Sequence, residues 1–131
     1  MNNIIFKLVE YVYYFSFIVL LILYLFPGSL IGLFIYGNSG QQPNLIMNPI
    51  GTSINHLIFF SYITVLSIIT RSRIKNIFTN YRLILFTSCI LEILHLIVPN
   101  RAFELYDLIA NIIGVVLILI INNFIKWSKT P

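Results

Sequence analysis

Four continuous apolar runs leave this chain little choice of fold. They extend from about residue 7 to 26, 54 to 70, 81 to 98 and 105 to 125, and together take up more than half of the 131 residues. A helix needs about 20 apolar residues, within a range of about 17–25, to cross the hydrocarbon core of a bilayer, and each run reaches that range. None of them alternates apolar and polar residues, as the strands of a membrane barrel must. The expected fold class is therefore all-α: an integral membrane four-helix bundle, with residues 1–131 forming a single membrane domain. The chain is 59% hydrophobic and 9% charged, where a soluble domain carries about 25% charged residues, so an ordinary soluble domain is excluded. The one cysteine, Cys89, lies inside the third run and has no partner for an internal disulfide.

Basic residues orient the spans. Arg71, Arg73, Lys75 and Arg82 surround the connection between the second and third runs, Lys126 and Lys129 follow the fourth, and Lys7 opens the first. Positive charge flanking membrane helices collects on the cytoplasmic side, which puts both termini in the cytoplasm. It also accounts for the net charge of +4 without a nucleic-acid partner. The opposite side receives an outer loop, residues 27–53, and the short connection Pro99–Glu104, whose one basic residue is Arg101. The first run begins like a secretory signal, but it is long for one, and Phe26-Pro27-Gly28-Ser29 reads as a helix stop rather than a cleavage site. In the outer loop the apolar stretch Leu30–Tyr36 precedes the turn-forming Gly37–Asn44. It is expected to be a strand or loop lying on the bundle, or a re-entrant cover over an outer site.

Against this background the segment from Glu92 to Gly114 stands out. Glu92, His95, Arg101, Glu104, Asp107 and Asn111 are concentrated at the end of the third run and the start of the fourth. A charged side chain within the bilayer costs about 2.5–3.5 kcal/mol even on insertion scales, so such a concentration points to use. Glu92 and His95, three apart, share one helix face; Asp107, Asn111 and Gly114, spaced four and three, share another. The short connection makes the two helices antiparallel neighbours, and Glu92 is expected about 9 Å below a helix end at Val98. His56, near the outer start of the second helix, joins from a third direction, with Tyr62 expected to reach the same groove from deeper.

The pattern resembles the VanZ-like family of small bacterial membrane proteins. The residues that carry the resemblance are His56-Leu-Ile-Phe59-Phe60-Ser-Tyr62, then Glu92, His95, Pro99, Arg101, Asp107, Asn111 and Gly114. They span roughly residues 54–122, and His95 stands where the family usually has glutamine. The resemblance implies a multi-pass protein of the bacterial cytoplasmic membrane, in a cell-envelope family named for low-level teicoplanin resistance. It implies a partner such as an anionic lipid-linked or glycopeptide-like molecule.

Two compatible readings of Arg101 stand side by side. It can pair with Asp107 and Glu92 as a structural ion-pair network. It can instead offer its fork of donors to a lipid or polyprenyl phosphate. Glu92 and His95 are the candidate acid–base pair should a reaction occur, and whether the protein is an enzyme stays open. Arg101, Asp107, Asn111, His56 and Tyr62 are the candidate ligand-binding residues. No CxxCH or HExxH spacing is present, so no metal or cofactor is expected. The alternative function is a non-catalytic subunit or accessory of a larger membrane complex, with the polar stripe as a helix–helix lock. Membrane lipids, and in that alternative other membrane proteins, are the expected partners.

Overall fold

The apolar runs fold as their length requires. The computed structural model describes residues 3–43 and 51–129, with the backbone alone at residues 3 and 52. Five helices follow in order: α1 Asn3–Leu25, α2 Leu30–Tyr36, α3 Gly51–Arg71, α4 Tyr81–Leu94 and α5 Leu105–Trp127. There is no strand among the described residues. Three helices, over Ile4–Leu25, Ser53–Arg71 and Leu105–Trp127, are long and apolar enough to cross a membrane.

Their outer faces are apolar and exposed: Tyr11, Phe15 and Ile18 on α1, Ile113, Ile120 and Phe124 on α5. The inner faces pack Tyr13, Leu20, Phe60, Ile63, Ile84 and Val115 into one core. Small hydroxyl residues are buried among them. They satisfy themselves locally, as Thr64 Oγ1 does by donating to the Phe60 carbonyl at 2.7 Å and Ser88 Oγ to the Leu85 carbonyl at 2.7 Å. α5 packs more extensively on α3 than on any other helix, while α4 touches α1, α3 and α5. α5 approaches α3 closely at Gly114, where an added Cβ would stand 2.6 Å from the Leu57 carbonyl oxygen.

The third run departs from expectation. Its helix stops at Leu94, four residues short of Val98. From His95 onward the chain tightens to i→i+3 bonds: His95 N to Glu92 O at 3.2 Å, Leu96 N to Ile93 O at 3.1 Å, Ile97 N to Leu94 O at 3.0 Å. Pro99 is the cause. It lacks an N–H and disfavours helical geometry at the residue before it. Asn100 then turns the chain at φ 57°, a left-handed conformation in which asparagine is enriched. Glu92 therefore sits in the last helical turn and His95 caps it.

Fourteen residues make α4 about 21 Å long, short of a hydrocarbon core of about 30 Å. The connection before it is tied to the bundle by hydrogen bonds, although Thr79 alone of residues 72–80 is buried. The Tyr13 hydroxyl donates to the Phe78 carbonyl, Ser67 Oγ to the Thr79 carbonyl at 3.1 Å, and Asn76 Nδ2 to the Tyr14 hydroxyl at 2.7 Å.

The apolar stretch of the outer loop is a helix, not a strand or loop. Ser29 caps α2 by accepting from Gly32 N at 2.9 Å, and Gly37, at φ 67°, closes it with its N–H on the Leu33 carbonyl. These are ordinary start and stop signals. Seven residues span only about 10 Å, so α2 covers rather than crosses. Residues 44–50 of that loop, including Asn44 of the turn-forming stretch, lie outside the described residues. Gly32 lets the returning chain seat on α2, because a Cβ there would meet the Gln41 carbonyl oxygen at 1.7 Å. Gly32→Ala is expected to lift residues 38–42 at a local cost of about 1–3 kcal/mol. Amide exchange at Ser29, whose N–H donates to the Ser39 carbonyl, should then quicken about tenfold while α3 and α5 stay protected.

Candidate functional site

The polar residues converge at one end of the helices. Glu92 is fully buried. Its Oε1 accepts the Glu104 N–H at 3.1 Å and lies 3.3 Å from His95 Nδ1. Its Oε2 has no hydrogen-bond partner and faces His56 Nδ1 at 3.9 Å. Asp107, buried in the first turn of α5, accepts from Ser53 Oγ at 2.5 Å through Oδ1, while its Oδ2 stands 3.5 Å from His56 Nε2. The His56 ring thus lies between two carboxylates from two different helices.

Tyr24 of α1 holds the cluster together, and sequence reasoning missed it. Its hydroxyl donates to Asn111 Oδ1 at 2.9 Å and stands 2.6 Å from His56 Nδ1. Its ring stacks on His95, with centroids 5.2 Å apart and planes 15° from parallel. Asn111 Nδ2 continues the chain to the Ser88 carbonyl at 3.2 Å. Four helices, α1, α3, α4 and α5, therefore share one hydrogen-bonded unit. The missed signals were slight: Tyr24 lies in the last turn of an apolar run, and Ser53 precedes His56 by three residues on the same face.

Arg101 does not form the expected ion pairs. Among the described residues no carboxylate lies within 4.0 Å of its guanidinium. Nη2 instead donates to the Leu23 carbonyl at 2.7 Å, and Nε is buried without a partner. A backbone acceptor on α1 has taken the place assigned to Asp107 and Glu92. Burial pulls the guanidinium below its ordinary pKa, opposed by the neighbouring carboxylates, but a guanidinium keeps its proton. Burial first, then the charges of Asp107 and Glu92, push the Glu104 carboxyl up.

Tyr62 does not join the cluster. It is 43% exposed, and its hydroxyl pairs with Ser16 Oγ of α1 at 3.0 Å. Six residues turn a helix by about 600°, which leaves Tyr62 about 120° round from His56 and carries it away from that face.

Two cavities meet beside the cluster. One, of about 310 Å³, is polar and lined by Asn100, Arg101, Glu104 and Asp107. The other, of about 110 Å³, runs between Leu20, Leu23, Leu30 and Phe59 with Tyr24 and His56 at its wall. Gln42, His95 and Arg101 line both. A group entering here meets a guanidinium and amides on one side and leucine side chains on the other. Comparison with protein-family models, with curated proteins and with solved structures finds no match to this chain.

The role of Tyr24 can be measured. Tyr24→Phe removes the hydroxyl that Asn111 and His56 share and leaves them their own longer contact, His56 Nδ1 to Asn111 Oδ1 at 3.2 Å, at a cost of about 1 kcal/mol. Thermal unfolding in detergent should fall by several degrees, and the loss should shrink when the same change is made in an Asn111→Leu background.

Proposed function

We propose that this chain is a VanZ-like protein that crosses the bacterial cytoplasmic membrane four times, with both termini inside. Its outward-facing site binds the headgroup of an anionic, lipid-linked amphiphile. The sidedness rests on charge: Lys7, Arg71, Arg73, Lys75, Arg82, Lys126 and Lys129 flank the opposite end of the helices from the polar cluster. α4, extended by the hydrogen-bonded connection before it, serves as the remaining crossing. The family reading rests on the motif from His56 to Gly114.

One observation carries the ligand class. The polar and apolar cavities share Arg101 and His95 at their junction, which is the layout an amphiphile needs. Arg101 lines both cavities and keeps one donor, Nε, without a partner, and arginine's planar fork suits phosphate.

Titrating the detergent-held protein with a short polyprenyl phosphate should give saturable binding, about tenfold or more tighter than the matching polyprenyl alcohol. Equal affinity for the two compounds would overturn the headgroup assignment. The alternative, an accessory subunit that uses the stripe as a helix lock, is favoured by the Tyr24–Asn111–Ser88 chain, which joins helices and needs no ligand. It predicts binding of neither compound.

A further inference from the structure

The charges inside the cluster do not balance. Glu92 and Asp107 are both buried. Among the described residues neither has a lysine or arginine nitrogen within 4.0 Å; the basic groups that close are histidines, and Arg101 acts on them only from further off. Buried carboxylates are ordinarily paired with cations or bound to metal ions.

The hydrogen bonds fix how His56 meets them. Tyr24 has one proton, and it goes to Asn111 Oδ1, an atom that can only accept. Asn111 is oriented by its own donation to the Ser88 carbonyl. With the Tyr24 proton on Asn111 Oδ1, both oxygens facing His56 Nδ1, the Tyr24 hydroxyl at 2.6 Å and Asn111 Oδ1 at 3.2 Å, favour the tautomer with its hydrogen on Nδ1. In a neutral ring this leaves the Nε2 lone pair facing Asp107 Oδ2 at 3.5 Å. Two lone pairs facing each other across that gap repel unless a proton or a metal ion lies between them.

We propose that His56, Asp107 and Glu92 form a three-ligand site for one divalent cation of the zinc or manganese class. One ligand atom from each lies within 4.8 Å of the others. Two atoms bound at about 2.1 Å to one tetrahedral ion are about 3.4 Å apart, which the His56 Nε2–Asp107 Oδ2 pair already matches. Glu92 supplies the independent sign. Its Oε1 is anchored by the Glu104 N–H, while Oε2 is fully buried, unpartnered and turned towards His56. Its 3.9 Å approach is to Nδ1 of the same ring, so binding requires Oε2 to swing round towards the Nε2 side.

The surrounding residues hold the ligands in the way metal sites require. Tyr24 fixes the His56 tautomer, and Ser53 Oγ fixes Asp107 by donating to Oδ1. Two carboxylates and a neutral imidazole sum to a charge that one divalent ion cancels. A nitrogen ligand beside oxygens suits zinc or manganese better than magnesium, which prefers oxygen and keeps its waters. Asp107 and His56 each line a cavity, so further ligands can reach the ion from there. No consensus spacing announces the site, because its ligands come from three separate helices.

The site stands whether or not an amphiphile binds. Full-length protein in detergent, stripped with chelator and desalted, is titrated with Zn²⁺, Mn²⁺ and Mg²⁺, and bound metal is counted by mass spectrometry. One Zn²⁺ or Mn²⁺ per chain is expected at micromolar concentration or below, with a rise in melting temperature and binding at least tenfold tighter than Mg²⁺. Asp107→Asn and Glu92→Gln should abolish stoichiometric binding. Should either fail to fold, Ser53→Ala keeps all three ligands and should weaken binding about 10–100-fold. No saturable binding by the wild type, or binding indifferent both to Ser53→Ala and to any folded ligand variant, would overturn the proposal. So would Mg²⁺ binding as tightly as Zn²⁺.

Discussion

Alanine at position 101 is expected to weaken binding of a polyprenyl phosphate about 30-fold or more while leaving the matching alcohol unaffected. Truncating one partner of a buried charged contact costs about 2–5 kcal/mol, and Arg101 is the one guanidinium lining the two cavities. The fold should tolerate the change. Among the described residues the Arg101 side chain makes one hydrogen bond, to the Leu23 carbonyl, worth about 1.5–3 kcal/mol. Arg101→Lys should recover part of the affinity, since it restores the charge but not the planar fork. Parallel titrations of the three proteins check this. Equal loss for phosphate and alcohol would mean that the cavity had collapsed and that the headgroup contact was not the cause.

The second large effect is expected at Gly114. Its missing Cβ lets α5 lie against the α3 backbone. A methyl group there meets the Leu57 carbonyl oxygen at 2.6 Å and Phe60 Cβ at 3.2 Å. A helical carbonyl cannot rotate aside, so Gly114→Ala must push the two helices apart, at about 1–3 kcal/mol. Gly114→Leu should cost more. Asp107 and Asn111 share the Gly114 stripe of α5, so the same shift would draw them away from His56. Thermal unfolding should fall by several degrees for alanine and further for leucine, with anion binding lost in step. An unchanged melting temperature for Gly114→Leu would contradict the close packing of α3 on α5.

Much of this arrangement could be read from residue spacing. The lengths of the apolar runs mark α1, α3 and α5 as helices able to cross a membrane. The i, i+3 and i, i+4 spacings gather Glu92 with His95, and Asp107 with Asn111 and Gly114. His56 could be brought to them because it starts α3 at the same level. What escaped was of three physical kinds.

The hydrogen bond of Arg101 goes to a backbone carbonyl, and backbone acceptors carry no residue identity to read. Tyr24 is one of eight tyrosines in a chain where aromatic residues also serve as core and lipid-facing surface, so nothing local set it apart. The ends of short elements depend on competition between weak signals. Ser29 and Gly37 do delimit α2, but a seven-residue apolar stretch can equally be a strand. Pro99 ended α4 earlier than its apolar pattern would suggest. The misplacement of Tyr62 differs in kind, because six residues around a helix do not return to the same face.

In the proposed function one anionic amphiphile seats across both cavities, with its headgroup at Arg101 and its tail between α1, α2 and α3. Photo-crosslinking tests this most directly, using two polyprenyl phosphates that carry the reactive group beside the phosphate or on the tail. The headgroup probe should label residues 95–107 and Gln42, and the tail probe should label residues 20–31 and the start of α3. Both labels should be lost on competition with unlabelled compound and in Arg101→Ala. Labelling spread over the exposed apolar faces of α1 and α5, indifferent to competitor and to Arg101, would contradict the claim.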